Sequence, residues 1–173
     1  MTGNGRLTLY LVRHAFADHA DASKWPDDSK RPLTEDGIQK FRDAAKGLRR
    51  LVPEVEVMLS SGYARAWETA ELLHEVTGWP QPQESSALEA GRPPAPAIDI
   101  LREREEKSIA LVGHEPYLST LASILCGGGE NFHLKLRKGG VAVVRVDGEP
   151  APGSGYLLWA VGPKILRALD GAA

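Results

Sequence analysis

Three short apolar runs constrain this chain more than any other feature. Each stops abruptly at a small or cationic residue, and each is followed by a stretch with helical spacing. Leu7–Val12 (LTLYLV), preceded by Gly3 and Gly5, is β-prone and ends at Arg13 and His14. Val55–Leu59 ends at Ser60 and Ser61, and Ser108–Val112 (SIALV) ends at Gly113 and His114. Runs this short and this largely apolar suit buried strands, and strands alternating with helices suit a parallel sheet covered by helices.

The intervening segments supply those helices. Thr34 has the chemistry of an N-cap, Glu35 and Asp36 favour the first turn, and Ile38, Phe41, Ala45 and Leu48 recur at helical spacing. Lys46, Arg49 and Arg50 suit the last turn before Pro53, so the spacing predicts a helix from Thr34 to Leu51. A second is expected over Ala64–Val76, stopped by Gly78 and Pro80, and a third over Tyr117–Leu125, stopped by Gly127–Gly129. Asp99–Glu106 reads as helical. Val141–Val146 and Tyr156–Val161 read as a hairpin joined by Asp147–Gly155. The proline-rich stretch Trp79–Pro96 reads as loop, with room for one short strand over Pro82–Ser85. Strands alternating with helices predict an α/β fold, a three-layer α/β/α sandwich with a mostly parallel central sheet. The expected organisation is a single domain over 1–173, long enough to hold its own core.

Composition narrows the classes. The net charge of −2 argues against a nucleic-acid binder driven by electrostatics. The one cysteine, Cys126, rules out an internal disulfide and a Cys-rich zinc site. No apolar run approaches the length of a membrane span, and the N-terminus lacks the pattern of a signal peptide. A cytoplasmic enzyme or binding module is the expectation.

In parallel sheets, ligands bind beyond the carboxyl ends of the strands. That rule gathers Arg13 and His14, Ser60 and Ser61, and Gly113 and His114, with Arg65 opening the helix after the second strand. Taken singly, each is a surface arginine or a satisfied histidine. Together, two Arg and two His in one crevice make an anion pocket, and the planar guanidinium fork suits phosphate.

These residues carry a family resemblance. Leu11-Val12-Arg13-His14-Ala15 resembles the R-H-G/A signature of the histidine phosphatase superfamily. Arg31-Pro32-Leu33-Thr34 with Gly37 resembles its R-P-L-T-x-x-G stretch. Leu59-Ser60-Ser61 through Arg65, Glu68 and Thr69 resembles L-S-S-x-x-x-R-A-x-x-T-A, and Leu111–Pro116 resembles V-G-H-E/N-P. Gly139-Gly140-Val141-Ala142 is similar to the T-G-A-x-A segment. The blocks stand in family order along most of the chain, and the short length with the R-H-A and R-P-L-T forms most resembles the SixA branch, named for a phosphohistidine phosphatase.

The resemblance implies a phosphoglycerate mutase-like fold and a metal-independent phosphatase without a cofactor. It implies that His14 is the nucleophile forming a phosphohistidine intermediate, and that Arg13, Arg65 and His114 hold the phosphoryl oxygens. Glu89 is the positional match to the carboxylate that protonates the leaving group in larger members. The implied partner is a phosphorylated protein (phosphohistidine) or a small phosphorylated substrate, with no nucleic acid and no membrane. The chemistry stands beside the name: neutral imidazole can attack phosphorus, and phosphoryl transfer is mostly positioning and electrostatics. His114 is expected to be a cation beside the dianion. Two alternatives stay open: a broad-specificity phosphomonoesterase using Glu89 as acid, and a phosphoanion-binding module without turnover. Glu115 and Arg31 are further candidates for contact or orientation, while Asp18 and His19 carry no assignment.

Other chemistries fit less well. Six positions beyond Cys126 stands Phe132, so there is no C-x5-R loop. There is no D-x-D, no H-E-x-x-H, and no Gly-Lys-Ser/Thr after Gly129. His74 and His133 have no ligand partner at metal spacing, and the four tryptophans are scattered.

Overall fold

The computed structural model describes residues 5–127 and 133–171. Gly3, Gly128, Gly129 and Phe132 lie outside the described residues. The first strand, β1 (Arg6–Arg13), leads by a loop and a single 3-10 turn (Asp28–Lys30) into α1 (Glu35–Leu51). Then follow β2 (Val57–Ser60), α2 (Ala64–Thr77), β3 (Pro82–Glu84), a second 3-10 turn (Ser86–Leu88) and α3 (Ala95–Arg102). The chain continues through β4 (Ser108–Gly113), α4 (Tyr117–Leu125), the hairpin β5 (Val141–Asp147) and β6 (Gly155–Val161), and α5 (Pro163–Asp170). No described helix is long and apolar enough to cross a membrane.

The six strands form one sheet in the order β3-β2-β4-β1-β5-β6. The first four run parallel, while β5 is antiparallel to β1 and β6 to β5. Side chains alternate across it. Val12, Met58, Ala110 and Val112 meet α1, α2 and α5 on one face; Leu9, Leu11, Leu59, Ile109 and Leu111 meet α3 and α4 on the other. This is the expected α/β/α sandwich with a mostly parallel sheet.

Local chemistry sets the helix ends much as the sequence predicts. The Thr34 hydroxyl accepts from the Gly37 N–H at 3.0 Å and caps α1, which buries Phe41, Ala44, Ala45 and Leu48. Gly78, at φ 79°, closes α2 in the left-handed conformation that favours glycine. Two expectations need correction. The helix expected over Asp99–Glu106 runs from Ala95 to Arg102, because the proline pair around Ala95 starts a helix instead of blocking it. Beyond Arg102 the chain stays non-helical as far as Ser108, with Arg104 paired to Glu106 at 2.8 Å. The sequence reading also did not include α5. It lies against α1 so closely that a Cβ on Gly47 would sit 1.8 Å from the Leu166 carbonyl oxygen.

The register of the parallel strands positions the site. Arg13 pairs with Gly113, and Ser60 with Val112. The next residues on these strands, His14, His114 and Ser61, therefore emerge side by side at the carboxyl edge of the sheet.

Candidate active site

The backbone around His14 is held from several directions. Its N–H donates to the Gly113 carbonyl at 2.9 Å, and the Arg13 N–H donates to Gly140 at 3.1 Å. The Gly139 N–H donates to the carbonyls of both Arg13 (3.1 Å) and His14 (3.0 Å), from a backbone at φ 72°. The Ala15 N–H donates to the Thr69 hydroxyl at 3.0 Å, and that hydroxyl donates to the Arg65 carbonyl at 2.6 Å. Thr69 thus ties the end of β1 to the first turn of α2. Glu68, one residue earlier, accepts from the Leu33 N–H at 2.8 Å and anchors the segment after Arg31. Gly37 has a similar bridging place: a Cβ there would lie 2.1 Å from the Phe16 carbonyl oxygen. The polar and glycine positions of the sequence blocks are therefore largely the ties between the loops that carry the site.

The two imidazoles face each other with ring centroids 5.3 Å apart and planes tilted by 55°. Both are buried. His14 Nδ1 lies 2.7 Å from the Ala15 carbonyl oxygen. A carbonyl can only accept, so Nδ1 carries the proton, and in the neutral ring the lone pair resides on Nε2. Burial pushes the His14 pKa down to about 3, and the charges of Arg65 and Arg13 act in the same direction. His114 is also pushed down to about 3, first by burial and then by Arg65. Its Nε2 lies 2.9 Å from the Ser61 hydroxyl, which also accepts from the Tyr63 N–H at 3.2 Å. The protein's own groups thus hold His114 neutral. The expected cationic His114 needs a dianion at its side; the fold alone does not create it.

Arg65 is also buried, with its guanidinium carbon 5.2 Å from the Tyr63 ring centroid. Tyr63 in turn meets His114 edge-on at 5.2 Å. Arg13 Nη1 donates to the Leu136 carbonyl at 2.9 Å. Among the described residues five buried side-chain polar atoms have no hydrogen-bond partner, and three of them, Arg13 Nε, Arg65 Nε and His114 Nδ1, belong to this cluster; the others are Tyr117 Oη and Arg145 Nε. An unmade bond at a buried polar group costs about 1–3 kcal/mol. Three on neighbouring residues mark a place not arranged for stability alone.

The cluster is cationic. Arg31 acts on His114 and Arg65, and Lys138 feels Arg13, Arg31 and Arg65 strongly enough to lower its own pKa beyond what burial does. Lys138 also sits 4.4 Å over the Phe16 ring. Two carboxylates answer these charges. Asp28 binds Arg65 and Arg31, and Glu115 acts on Arg13. A cation about 4 Å from an anion is worth about 4 kcal/mol at an effective dielectric near 20. Four cations around one crevice can therefore bind a compact dianion and stabilise charge developing on it. Among the described residues no group of three His, Cys, Asp or Glu is placed to hold a metal ion.

The structure brings Arg13, His14, Arg65 and His114 together at the carboxyl edge of the sheet. Glu89 caps the second 3-10 turn, and its carboxylate pairs with Arg92 at 3.4 Å. Glu115 accepts from the Ser119 N–H (3.2 Å) and hydroxyl (2.5 Å), and burial pushes its carboxyl pKa up. Glu115 and Arg13 line a groove of about 720 Å³ with Ser119, His133, Lys135 and Leu136. The sequence reading missed Tyr63, Asp28 and Lys138. The signal for Lys138 was its place directly before the two glycines that bond to the Arg13-His14 backbone.

Comparison with known proteins gives a consistent picture. The model of the histidine phosphatase superfamily (branch 1) matches residues 9–92. An uncharacterized protein of Picosynechococcus sp. is 34% identical over 143 residues, covering 80% of this chain and 85% of its own length. An uncharacterized protein of Mycobacterium tuberculosis is 31% identical over 146 residues, covering 79% of this chain and 88% of its own length. Among solved structures, the protein histidine phosphatase SixA complexed with tungstate superposes with a TM-score of 0.78 at 26% identity. That match spans 92% of this chain and 99% of the SixA chain.

Proposed function

The chain belongs to the histidine phosphatase superfamily (branch 1) and is a phosphatase, and from that premise we propose that it hydrolyses protein phosphohistidine by way of a phosphoryl group carried on His14. The observation that carries this reading is the tautomer of His14. Its Nδ1–H is bonded to the Ala15 carbonyl, so Nε2 keeps a lone pair, and burial keeps the ring neutral down to about pH 3. A nucleophile is thus ready without a separate base to deprotonate it.

In the first step the Nε2 lone pair attacks phosphorus and a P–Nε2 bond forms. The bond from phosphorus to the substrate's leaving nitrogen breaks, and that nitrogen keeps the electron pair. In the second step water attacks the phosphorus of phospho-His14. The P–Nε2 bond breaks, inorganic phosphate leaves, and the lone pair returns to Nε2. Arg13, Arg65 and His114 hold the phosphoryl oxygens throughout, where charge spreads in the transition state. The incoming dianion favours a protonated His114, so the ring gains its proton as substrate binds.

The choice of phosphohistidine rests on the likeness to SixA and on the carboxylates. An imidazole leaves more readily than an alkoxide and makes little demand for an acid. Glu89 is engaged by Arg92, and Glu115 by Ser119. A substrate panel tests the assignment. A histidine-phosphorylated protein should exceed alkyl phosphate esters in kcat/KM by about tenfold or more. The opposite ranking, with Glu89→Gln losing ester activity alone, favours a small-molecule phosphomonoesterase. Wild type that binds tungstate but hydrolyses nothing favours the binding module.

A further inference from the structure

The loop before α1 contributes one carboxylate to the site. Asp28 opens the 3-10 turn Asp28–Lys30, which Asp27 caps by accepting from the Ser29 N–H at 3.1 Å and the Ser29 hydroxyl at 2.6 Å. Held by this turn, Asp28 takes Arg65 by two different groups. Its backbone carbonyl accepts from Arg65 Nη1 at 2.9 Å, and its Oδ2 lies 3.0 Å from Arg65 Nη2. The other carboxylate oxygen, Oδ1, accepts from Arg31 Nε at 2.7 Å. Arg31 is itself fixed through Nη1, which donates to the Asp18 carbonyl at 2.7 Å.

The consequence is geometric. Both terminal nitrogens of the Arg65 guanidinium are gripped by one residue, while Nε is buried with no partner. A planar fork held at its tip cannot rotate, so its Nε edge keeps one orientation. The Arg65 side chain is 5% exposed and that of Asp28 is 50% exposed. A half-solvated carboxylate that reaches a buried arginine contributes little to the core. Its effect falls on the orientation and charge of that arginine.

We propose that Asp28 is a positioning residue, which, together with Arg31, holds the Arg65 guanidinium in one orientation beside His114 and sets how much of its charge is offered to a phosphoryl group. The inference rests on the phosphatase reading of the site and extends it to the loop before α1. It also assigns Arg31 a place: by sharing the Asp28 carboxylate, Arg31 prevents Asp28 from spending its full charge on Arg65. Asp28 competes for the same cation that the phosphoryl group needs, and its sharing with Arg31 limits how much of the Arg65 charge it neutralises.

The test uses Asp28→Ala and Asp28→Asn in the full-length chain, each alone and with Arg65→Ala. Tungstate binding is measured by calorimetry, and kcat and KM with an aryl phosphate. Asp28→Ala should lower kcat/KM on the order of 10- to 100-fold, mainly through kcat, and should weaken tungstate binding. Both variants keep the backbone carbonyl contact, but Asp28→Asn also keeps a side-chain oxygen able to accept from Arg65 Nη2 and should lose less. In the Arg65→Ala background, removing Asp28 should change kcat/KM by less than about twofold, because the partner it acts on is gone. A merely structural role would not produce that loss of additivity. Asp28→Ala that binds tungstate more tightly without loss of kcat would make Asp28 a plug and overturn the proposal. So would a full additional loss on top of Arg65→Ala. Wild type that neither binds tungstate nor hydrolyses the ester overturns the phosphatase reading itself; active wild type with unaffected Asp28 variants overturns this inference alone.

Discussion

His14 and His114 stand 5.3 Å apart, ring to ring, on neighbouring parallel strands, and both are held neutral. Two imidazolium ions at this distance, between Arg13 and Arg65, would repel one another and the arginines. The buried pair therefore couples the chemistry of the site to the acid stability of the fold.

Both histidines have pKa values near 3 in the folded chain, against about 6.5 in an unfolded one. The unfolded state binds more protons between these values, so stability is full above about pH 6.5 and falls as the pH drops towards 3. The slope is about 1 kcal/mol per pH unit for each histidine. Thermal melts from pH 7 to pH 4 should show a steeper loss for wild type than for His14→Asn/His114→Gln. Equal slopes would mean that these rings do not titrate as the burial requires.

Arg65→Lys keeps the charge and discards the fork. Lysine has one nitrogen and cannot hold the Asp28 carbonyl and carboxylate from two. The loss in kcat should be on the order of 100- to 1000-fold, with melting little changed. Steady-state kinetics with an aryl phosphate measures it, and retention of more than about a tenth of wild-type kcat would argue against a bidentate role.

Thr69 offers a stability test outside the reacting groups. Thr69→Val removes the acceptor of the buried Ala15 N–H while keeping the shape. Chemical denaturation should show a loss of about 1–3 kcal/mol, and Thr69→Ser should restore most of it. Because the tie lies next to His14, kcat should fall as well.

The two glutamates near the site can be separated by substrate. Glu89→Gln should leave phosphohistidine hydrolysis within about threefold of wild type. Glu115→Gln should act chiefly through KM for substrates large enough to reach the groove beside Arg13. A loss in kcat of about 100-fold for either variant on phosphohistidine would identify a required acid and change the proposed mechanism.

What was legible in the chain, and what was not, follows from its physics. His14 and His114 stand out because polar residues directly after continuous apolar strands have little structural reason to be there. The α/β/α layering follows from the same runs. The boundaries of α3 were misread because prolines at 94 and 96 look like breakers, although a first helical turn accepts proline. The two-turn α5 was too short for its periodicity to stand out. Asp28 was invisible for a deeper reason. One carboxylate in the polar loop Trp25–Arg31 looks solvated until the fold brings buried Arg65 against it.

The most direct measurement is the identification of the phosphorylated residue. The enzyme is mixed with a rapidly hydrolysed phosphoryl donor, quenched in alkali within the first turnover, and mapped by mass spectrometry. An acid-labile, alkali-stable phosphoryl group on His14, absent from His14→Ala along with turnover, is the result predicted. A phosphoryl group on another residue, or undiminished turnover by His14→Ala, would contradict it.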